Sequence, residues 1–226
     1  MRIAVVIPAH NEESSLPLVL DAIPKGLVEE VVVVDNASTD RTADAARSRG
    51  ATLLFEPRRG YGAACLRGVT HLETKRPEVV VFLDADYSDH PDEMPRLLEP
   101  ITRDGADLVI GSRVLGTREP GAILPQARLG NWLAARLMRC LYGGRFTDLG
   151  PFRAVRFESL RGLGMADRDF GWTAEMQVKA LKRGLRVCEV PVSYRRRVGR
   201  SKITGTLSGT LKAGAKILWT IGRNAL

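Results

Sequence analysis

The sequence predicts an α/β domain with a mostly parallel central sheet. Short apolar, β-branched runs alternate with stretches of helical periodicity at intervals of roughly 25 residues, the spacing that parallel crossover connections require. Several of these runs end in carboxylates, so polar groups collect along one edge of the sheet. One run, Val79-Val80-Val81-Phe82-Leu83, passes straight into Asp84-Ala85-Asp86. So apolar a run reads as a central strand buried on both faces.

Ile3 to Ile7 is the first predicted strand, ended by Pro8-Ala9-His10-Asn11-Glu12-Glu13. Leu16, Val19, Leu20 and Ile23 recur at helical spacing and form the first crossover. Val31 to Asp35 is a second buried strand, and Asn36-Ala37-Ser38-Thr39-Asp40 caps a helix that Gly50 closes. Thr52 to Phe55 is a third strand. The basic turn Arg58-Arg59-Gly60-Tyr61-Gly62 then leads to a helix through Leu72. After the Asp84/Asp86 strand, Pro91 opens a helix, and Ala106 to Gly111 is a fifth strand. Arg128 to Tyr142 reads as an amphipathic helix with Leu129, Trp132, Leu133, Leu137 and Leu141 on its apolar side. Asp148-Leu149-Gly150-Pro151-Phe152-Arg153 is a turn into a short strand, Trp172 to Arg183 a helix, and Leu185 to Val192 a strand. A basic loop, Arg195 to Lys202, precedes a last amphipathic segment, Leu207 to Ile221. The boundaries are one domain over 1–203 and a helical segment over 204–226.

The 226 residues suit one large domain. A net charge of +8 favours an anionic partner, and much of the excess lies late, in Arg195-Arg196-Arg197, Arg200, Lys202, Lys212, Lys216 and Arg223. Cys65, Cys140 and Cys188 fit neither a zinc spacing nor a disulfide framework and are expected as small buried thiols. Neither a signal peptide nor a membrane-spanning run is found, so a cytoplasmic location is expected.

Asp84 and Asp86, with no basic neighbour in sequence, repel each other at a strand end, where open α/β sheets bind ligands. A hard divalent cation, Mg²⁺ or Mn²⁺, offsets that repulsion. The competing reading is a helix cap plus a solvated acid. Metal carboxylates at the rim of a nucleotide-sized crevice point to a pyrophosphate substrate, with the cation bridging the phosphates. Arg113 and Arg128 are candidates to add positive charge where negative charge develops, unless they are solvated surface charges.

Ile7-Pro8-Ala9-His10-Asn11-Glu12, Val33-Val34-Asp35-Asn36-Ala37-Ser38-Thr39-Asp40, Asp84-Ala85-Asp86 and Gly111-Ser112-Arg113 together resemble the motifs of glycosyltransferase family 2. Asp148 to Arg153 and Arg200-Ser201-Lys202 extend the likeness over about residues 2 to 203, most similar to dolichol- or polyprenol-phosphate sugar transferases. The resemblance implies a Rossmann-like, type A glycosyltransferase fold. It also implies inverting transfer of a hexose from a UDP- or GDP-linked donor, with polyprenyl phosphate as acceptor. On that likeness Pro8, Ala9 and Glu12 line the base and ribose pocket, Asp35 binds the nucleoside, and Asn11, Asn36 and Ala85 complete the donor site. Asp84 and Asp86 hold Mg²⁺ or Mn²⁺, Arg113 and Arg128 steer the donor and acceptor phosphates, and Lys202 closes over the diphosphate. The chain departs from the family pattern at Asn36, where a second acid is common, and at Ser88, where the lipid-phosphate transferases often carry Gln.

A lipid phosphate is already anionic and needs no base, whereas an alcohol acceptor needs one within hydrogen-bond reach. Asp169 is the candidate for that base, with Glu175 next; both also suit a helix cap or first turn. Trp172 suits a sugar face or the core, with the core favoured. The face shared by Leu207, Leu211, Ala215, Leu218 and Trp219, with Lys212 and Lys216 beside it, suits a membrane interface, a docked position on the domain, or a homodimer contact. Peripheral attachment to the inner face of a membrane follows if the acceptor is a lipid.

Two rival classes remain. A haloacid-dehalogenase-like phosphatase also ends an apolar strand in Asp-x-Asp, but on its first strand, and here the motif is on the fourth. A basic anion-binding module would use the +8 charge. Nucleic acid is not expected, because basic and aromatic residues are not interleaved on one strand face and no DNA- or RNA-binding pattern appears.

Overall fold

The computed structural model describes residues 1–199 and 207–224, the latter without the side chains of 207–211. Seven strands form one sheet: β1 (Ile3–Ala9), β2 (Glu30–Asp35), β3 (Thr52–Phe55), β4 (Val79–Phe82), β5 (Leu108–Ser112), β6 (Arg153–Arg156) and β7 (Val187–Pro191). Their order is β3-β2-β1-β4-β6-β5-β7, and all pairings are parallel except those of β6 with β4 and β5. The Asp84/Asp86 run is the central strand expected, with all of Val79 to Leu83 fully buried.

The period-two alternation of strand side chains divides the core into two layers. Ile3, Val5, Ile7, Val33, Val79 and Val81 face helices α1 (Leu16–Ala22) and α4 (Met94–Arg103) through Leu16, Val19, Met94, Leu97 and Ile101. Ala4, Val6, Val32, Val34, Val80 and Phe82 face α3 (Tyr61–Leu72), α6 (Phe157–Leu163) and α7 (Trp172–Lys182). Helix α2 (Thr42–Ser48) joins β2 to β3. Trp172 lies in the second layer, with its ring edge-on to Phe82 at 5.9 Å between centroids.

The sequence reading missed α6. It follows β6 directly and lacks the length that gives a clear helical period. The antiparallel insertion of β6 between β4 and β5 is also absent from a simple alternation of strand and crossover. Arg153 at the start of β6 is fully buried, and its guanidinium donates to the carbonyls of Leu149, Gly150 and Thr173. Burial lowers its pKa to about 10, which leaves it charged at neutral pH.

Helix α5 (Pro125–Tyr142) overturns an expectation. It buries Ala134, Ala135 and Met138 and leaves Leu129, Trp132, Leu133 and Leu141 exposed. Ala134 and Met138, with Leu137 beside them, meet Ala174 and Val178 of α7 and Ile217 and Ile221 of α8 (Leu207–Arg223), and the exposed leucines and Trp132 lie on the other faces. Cys140 is likewise exposed rather than buried, while Cys65 is buried and Cys188 half-buried. Helix α8 docks on α5 and α7 through Ile217 and Ile221, and Tyr142 donates to the Ile221 carbonyl.

Replacing the buried guanidinium leaves three carbonyls without their donor. Arg153→Met is expected to cost on the order of 3 kcal/mol, measured by urea denaturation.

Candidate active site

The C-terminal ends of β1, β2 and β4 converge, with Ala9 beside Asp35 across the β1–β2 ladder. Just beyond each end a non-glycine residue takes the left-handed conformation: Asn11 (φ 53°), Ala37 (φ 55°) and Tyr87 (φ 63°). Such strain persists only where surrounding structure fixes it, and it gathers at functional sites. The turn at Tyr87 brings the Ser88 amide and hydroxyl onto one Asp86 carboxylate oxygen, at 2.9 and 2.5 Å. Ser88 thus orients the second acid from full burial.

Asp84, Asp86 and Asp89 form a crowded acidic group. Burial, then the Asp86 charge, raises the Asp84 carboxyl to about 7, and the same kind of burial raises Asp89 strongly. One oxygen of Asp84 (Oδ1) and one of Asp89 (Oδ1) are sealed from solvent without a hydrogen-bond partner. Asp86 meets a cation: Arg197 Nη2 lies 2.6 Å from its Oδ2 and 3.7 Å from Glu12.

Asp84 and Asp86, but not Asp89, line a cavity of about 340 Å³ with Pro8, Ala9, His10, Glu12, Asn36, Arg59, Gly60, Tyr61, Ala85, Asp169, Phe170 and Arg197. Asn11 and Asp35 shape the wall behind it: Asn11 accepts from the Thr39 amide, and Asp35 accepts from the Ser38 amide. Asn36 has a reason to be an amide. Its nitrogen donates to the carbonyls of Glu56 and Arg58 while its oxygen accepts from Gly60, and a carboxylate could not make the two donations. The same loop is clamped from the other side. A Cβ at Gly60 or Gly62 would stand 2.2 or 2.1 Å from the backbone oxygens of Arg168 or Asp167, so only glycine lets the 167–170 segment bring Asp169 to the cavity. Glu175, the second candidate base, is instead buried and structural, accepting from the amides of Ala166 and Asp167 and paired with Lys179. Lys202 and the rest of Arg200-Ser201-Lys202 lie outside the described residues.

Arg113 and Arg128 line a second cavity, of about 630 Å³, together with Arg118, Leu129, Trp132, Arg136, Arg139 and Asp148. Arg113 is held there by a two-pronged bond to Asp148, both contacts at 2.7 Å, and stacks over Tyr194. A strap over 194–198 joins the two cavities. Tyr194 bonds Thr117, Arg195 bonds Ser88, and Val198 bonds the Asp86 carbonyl.

The family model described as "Glycosyl transferase family 2" matches residues 4–164. The chain belongs to glycosyltransferase family 2. It is 41% identical over 214 residues to an uncharacterized glycosyltransferase of Mycobacterium tuberculosis, covering 93% of this chain and 94% of the relative. It is 35% identical to the undecaprenyl-phosphate mannosyltransferase of Micrococcus luteus (92% and 90% covered) and 37% identical to the dolichyl-phosphate hexose transferase of Haloferax volcanii (89% and 86%). Among solved structures it superposes on glucosyl-3-phosphoglycerate synthase from M. tuberculosis, crystallised with Mn²⁺, UDP and glucosyl-3-phosphoglycerate. The TM-score is 0.79 at 25% identity, with 99% of this chain and 80% of that one covered. The fold is the type A glycosyltransferase fold, and the chain is a glycosyltransferase. The phosphatase and simple binding-module readings fall with this assignment.

The acidic group of this glycosyltransferase fits a divalent cation of the Mg²⁺ type. Among the described residues no three His, Cys, Asp or Glu side chains form a complete cage. The unpartnered buried oxygens belong to Asp84 and Asp89, and Asp86 offers the oxygen that Arg197 now meets; such a set suits a cation that keeps waters and takes its remaining ligands from phosphates. Sequence reasoning missed His10, Arg59, Tyr61, Phe170 and Arg197 as lining residues. His10 and Tyr61 stood inside motifs already singled out, whereas Phe170 and Arg197 arrive from distant loops.

Because Asp84 titrates near 7 in the folded chain and near 3.8 when unfolded, the folded state binds the extra proton between those values. With a chelator present, the wild-type unfolding temperature is expected to fall as pH rises from 5 to 8, and Asp84→Asn to flatten that fall. A scanning-calorimetry series over pH checks it.

Proposed function

We propose that the enzyme is an inverting, metal-dependent hexosyltransferase that moves sugar from a UDP- or GDP-linked donor to a polyprenyl phosphate. The observation that supports it most is the pairing of two unlike cavities across one strap. The first has carboxylates for a cation and its diphosphate; the second has arginines beside apolar side chains, the two halves of a lipid phosphate. The names of the M. luteus and H. volcanii relatives point to the same acceptor class, and the neighbour crystallised with Mn²⁺ and UDP to the same donor chemistry.

In this reading Pro8, Ala9, His10 and Asn36 receive the nucleoside, and Asp84 and Asp86 hold Mg²⁺ or Mn²⁺. When bound, the cation takes up charge on the departing diphosphate. Arg128, Arg136 and Arg139 draw in the acceptor phosphate, while Arg113, neutralised by Asp148, fixes the cavity wall. A phosphate oxygen attacks the anomeric carbon from the face opposite the diphosphate. The new carbon–oxygen bond forms as the old one breaks, and nucleoside diphosphate leaves. Arg197 and the strap are placed to swing onto the diphosphate when a cation takes Asp86. No helix of the described residues is long and apolar enough to cross a membrane. In this reading the enzyme meets its lipid peripherally, at the cytoplasmic face.

An alcohol acceptor is the second reading, favoured by one observation: Asp169 lines the donor cavity. The two separate cleanly. Asp169→Asn is expected to leave transfer to a polyprenyl phosphate within about threefold of wild type and to cost an alcohol acceptor on the order of a hundredfold. Asp86→Asn is expected to lower transfer by about a hundredfold or more with either acceptor, equivalent to roughly 3 kcal/mol of lost charge stabilisation. Radiolabelled sugar transfer with a panel of donors and both acceptor types measures all three.

A further inference from the structure

Helix α5 is assembled inside out for a soluble protein. Its buried contacts are Ala134, Ala135 and Met138, while Leu129 is 65% and Trp132 56% exposed, with Leu133 exposed beside them. On a helical projection Leu129, Trp132, Leu133, Arg136 and Cys140 fall on one outward stripe. Scattered exposed leucines need no explanation, but a stripe of them with a tryptophan on one helix does.

The charge on this layer is one-sided. Helix α5 carries Arg128, Arg136 and Arg139 and no acid; α8, docked against it, carries Lys212, Lys216 and Arg223 and no acid. The chain as a whole has 26 acidic residues, so their exclusion from both helices is not a matter of composition. Among the described residues, Arg128, Arg136 and Arg139 make no ion pair, and of the α8 cations only Lys216 does, to Asp167. Both exposed tryptophans have cations over their rings: Arg136 over Trp132, and Lys216 and Arg223 over Trp219. An aromatic ring with an apolar body, flanked by long basic side chains, is the chemistry of a lipid headgroup boundary.

We infer that the outward stripe of α5 is the surface by which the enzyme docks on an anionic phospholipid bilayer. The inference rests on the lipid-phosphate reading for why the enzyme visits a bilayer, and on the helix surface for where. A second copy of the chain is the poorer occupant, because it would set one acid-free, arginine-bearing helix against another. The stripe is also continuous with the acceptor cavity, since Leu129 and Trp132 line that cavity and are exposed as well. Docked this way, the cavity opens at the level of the acyl chains, and an acceptor phosphate reaches Arg128 and Arg136 while its tail stays in lipid.

The test uses Leu133, which lies on the stripe but does not line the acceptor cavity. The full chain is sedimented with phosphatidylcholine vesicles with and without phosphatidylglycerol, and in parallel it is assayed on a short-chain, water-soluble polyprenyl phosphate. Wild type is expected to bind the phosphatidylglycerol vesicles and not the neutral ones. Leu133→Glu is expected to weaken that binding about tenfold or more, with turnover on the soluble acceptor and the unfolding temperature unchanged. Leu133→Ser is the gentler variant, expected to act in the same direction. Vesicle binding that ignores phosphatidylglycerol or survives Leu133→Glu would overturn the inference. So would a wild-type dimer in light scattering that Leu133→Glu dissolves, since a second copy would then cover the stripe. Lipid binding as described but no transfer to the soluble acceptor would instead count against the proposed function.

Discussion

The structure depends on two carboxylates placed one residue apart at the end of a fully buried strand. Nothing in the sheet itself compensates them. Burial and mutual repulsion push Asp84 to about 7, and the site meets the remaining charge with Arg197 on Asp86 and with the amide and hydroxyl of Ser88. The left-handed turn at Tyr87 is part of the same arrangement, because it swings Ser88 back onto Asp86. A site built in this way is short of positive charge at one point, which is where the proposed cation and its diphosphate would bind.

The strap over 194–198 gives that demand a mechanical consequence. Its backbone is bonded to Ser88 and the Asp86 carbonyl on one side and to Thr117 on the other. Arg195 lies 3.8 Å over the Tyr87 ring, while Arg197 reaches the carboxylate itself. A ligand that claims Asp86 therefore bears on the strap, and through Tyr194 and Arg113 on the wall of the arginine-lined cavity. The two cavities share a boundary made of the same few residues.

Much of this was legible in the sequence because it rests on local pattern. The β-branched run into Asp84-Ala85-Asp86 announced the central strand, and the acids at successive strand ends placed the site. What was not legible depends on partners distant in sequence. The antiparallel course of β6 brings it between two strands distant in sequence, its buried Arg153 reaches the Thr173 carbonyl, and the approach of Asp169 depends on Gly60 and Gly62 facing the 167–168 backbone. The outward face of α5 is the sharpest lesson. Its apolar period was legible and its direction was not, because periodicity marks a stripe without saying what covers it. Asn36, a departure from the family pattern, turned out to be the donor that holds the neighbouring loop.

In the function proposed here, Asp84 and Asp86 would hold a divalent cation that binds the donor's phosphates. Anomalous diffraction at the manganese edge, from crystals grown with Mn²⁺ and a nucleoside diphosphate, tests it most directly. A single strong peak is expected within bonding distance of both the aspartate pair and the diphosphate, with Arg197 moved off Asp86. A nucleotide bound in the cavity with no peak there, and Arg197 still on that carboxylate, would contradict it.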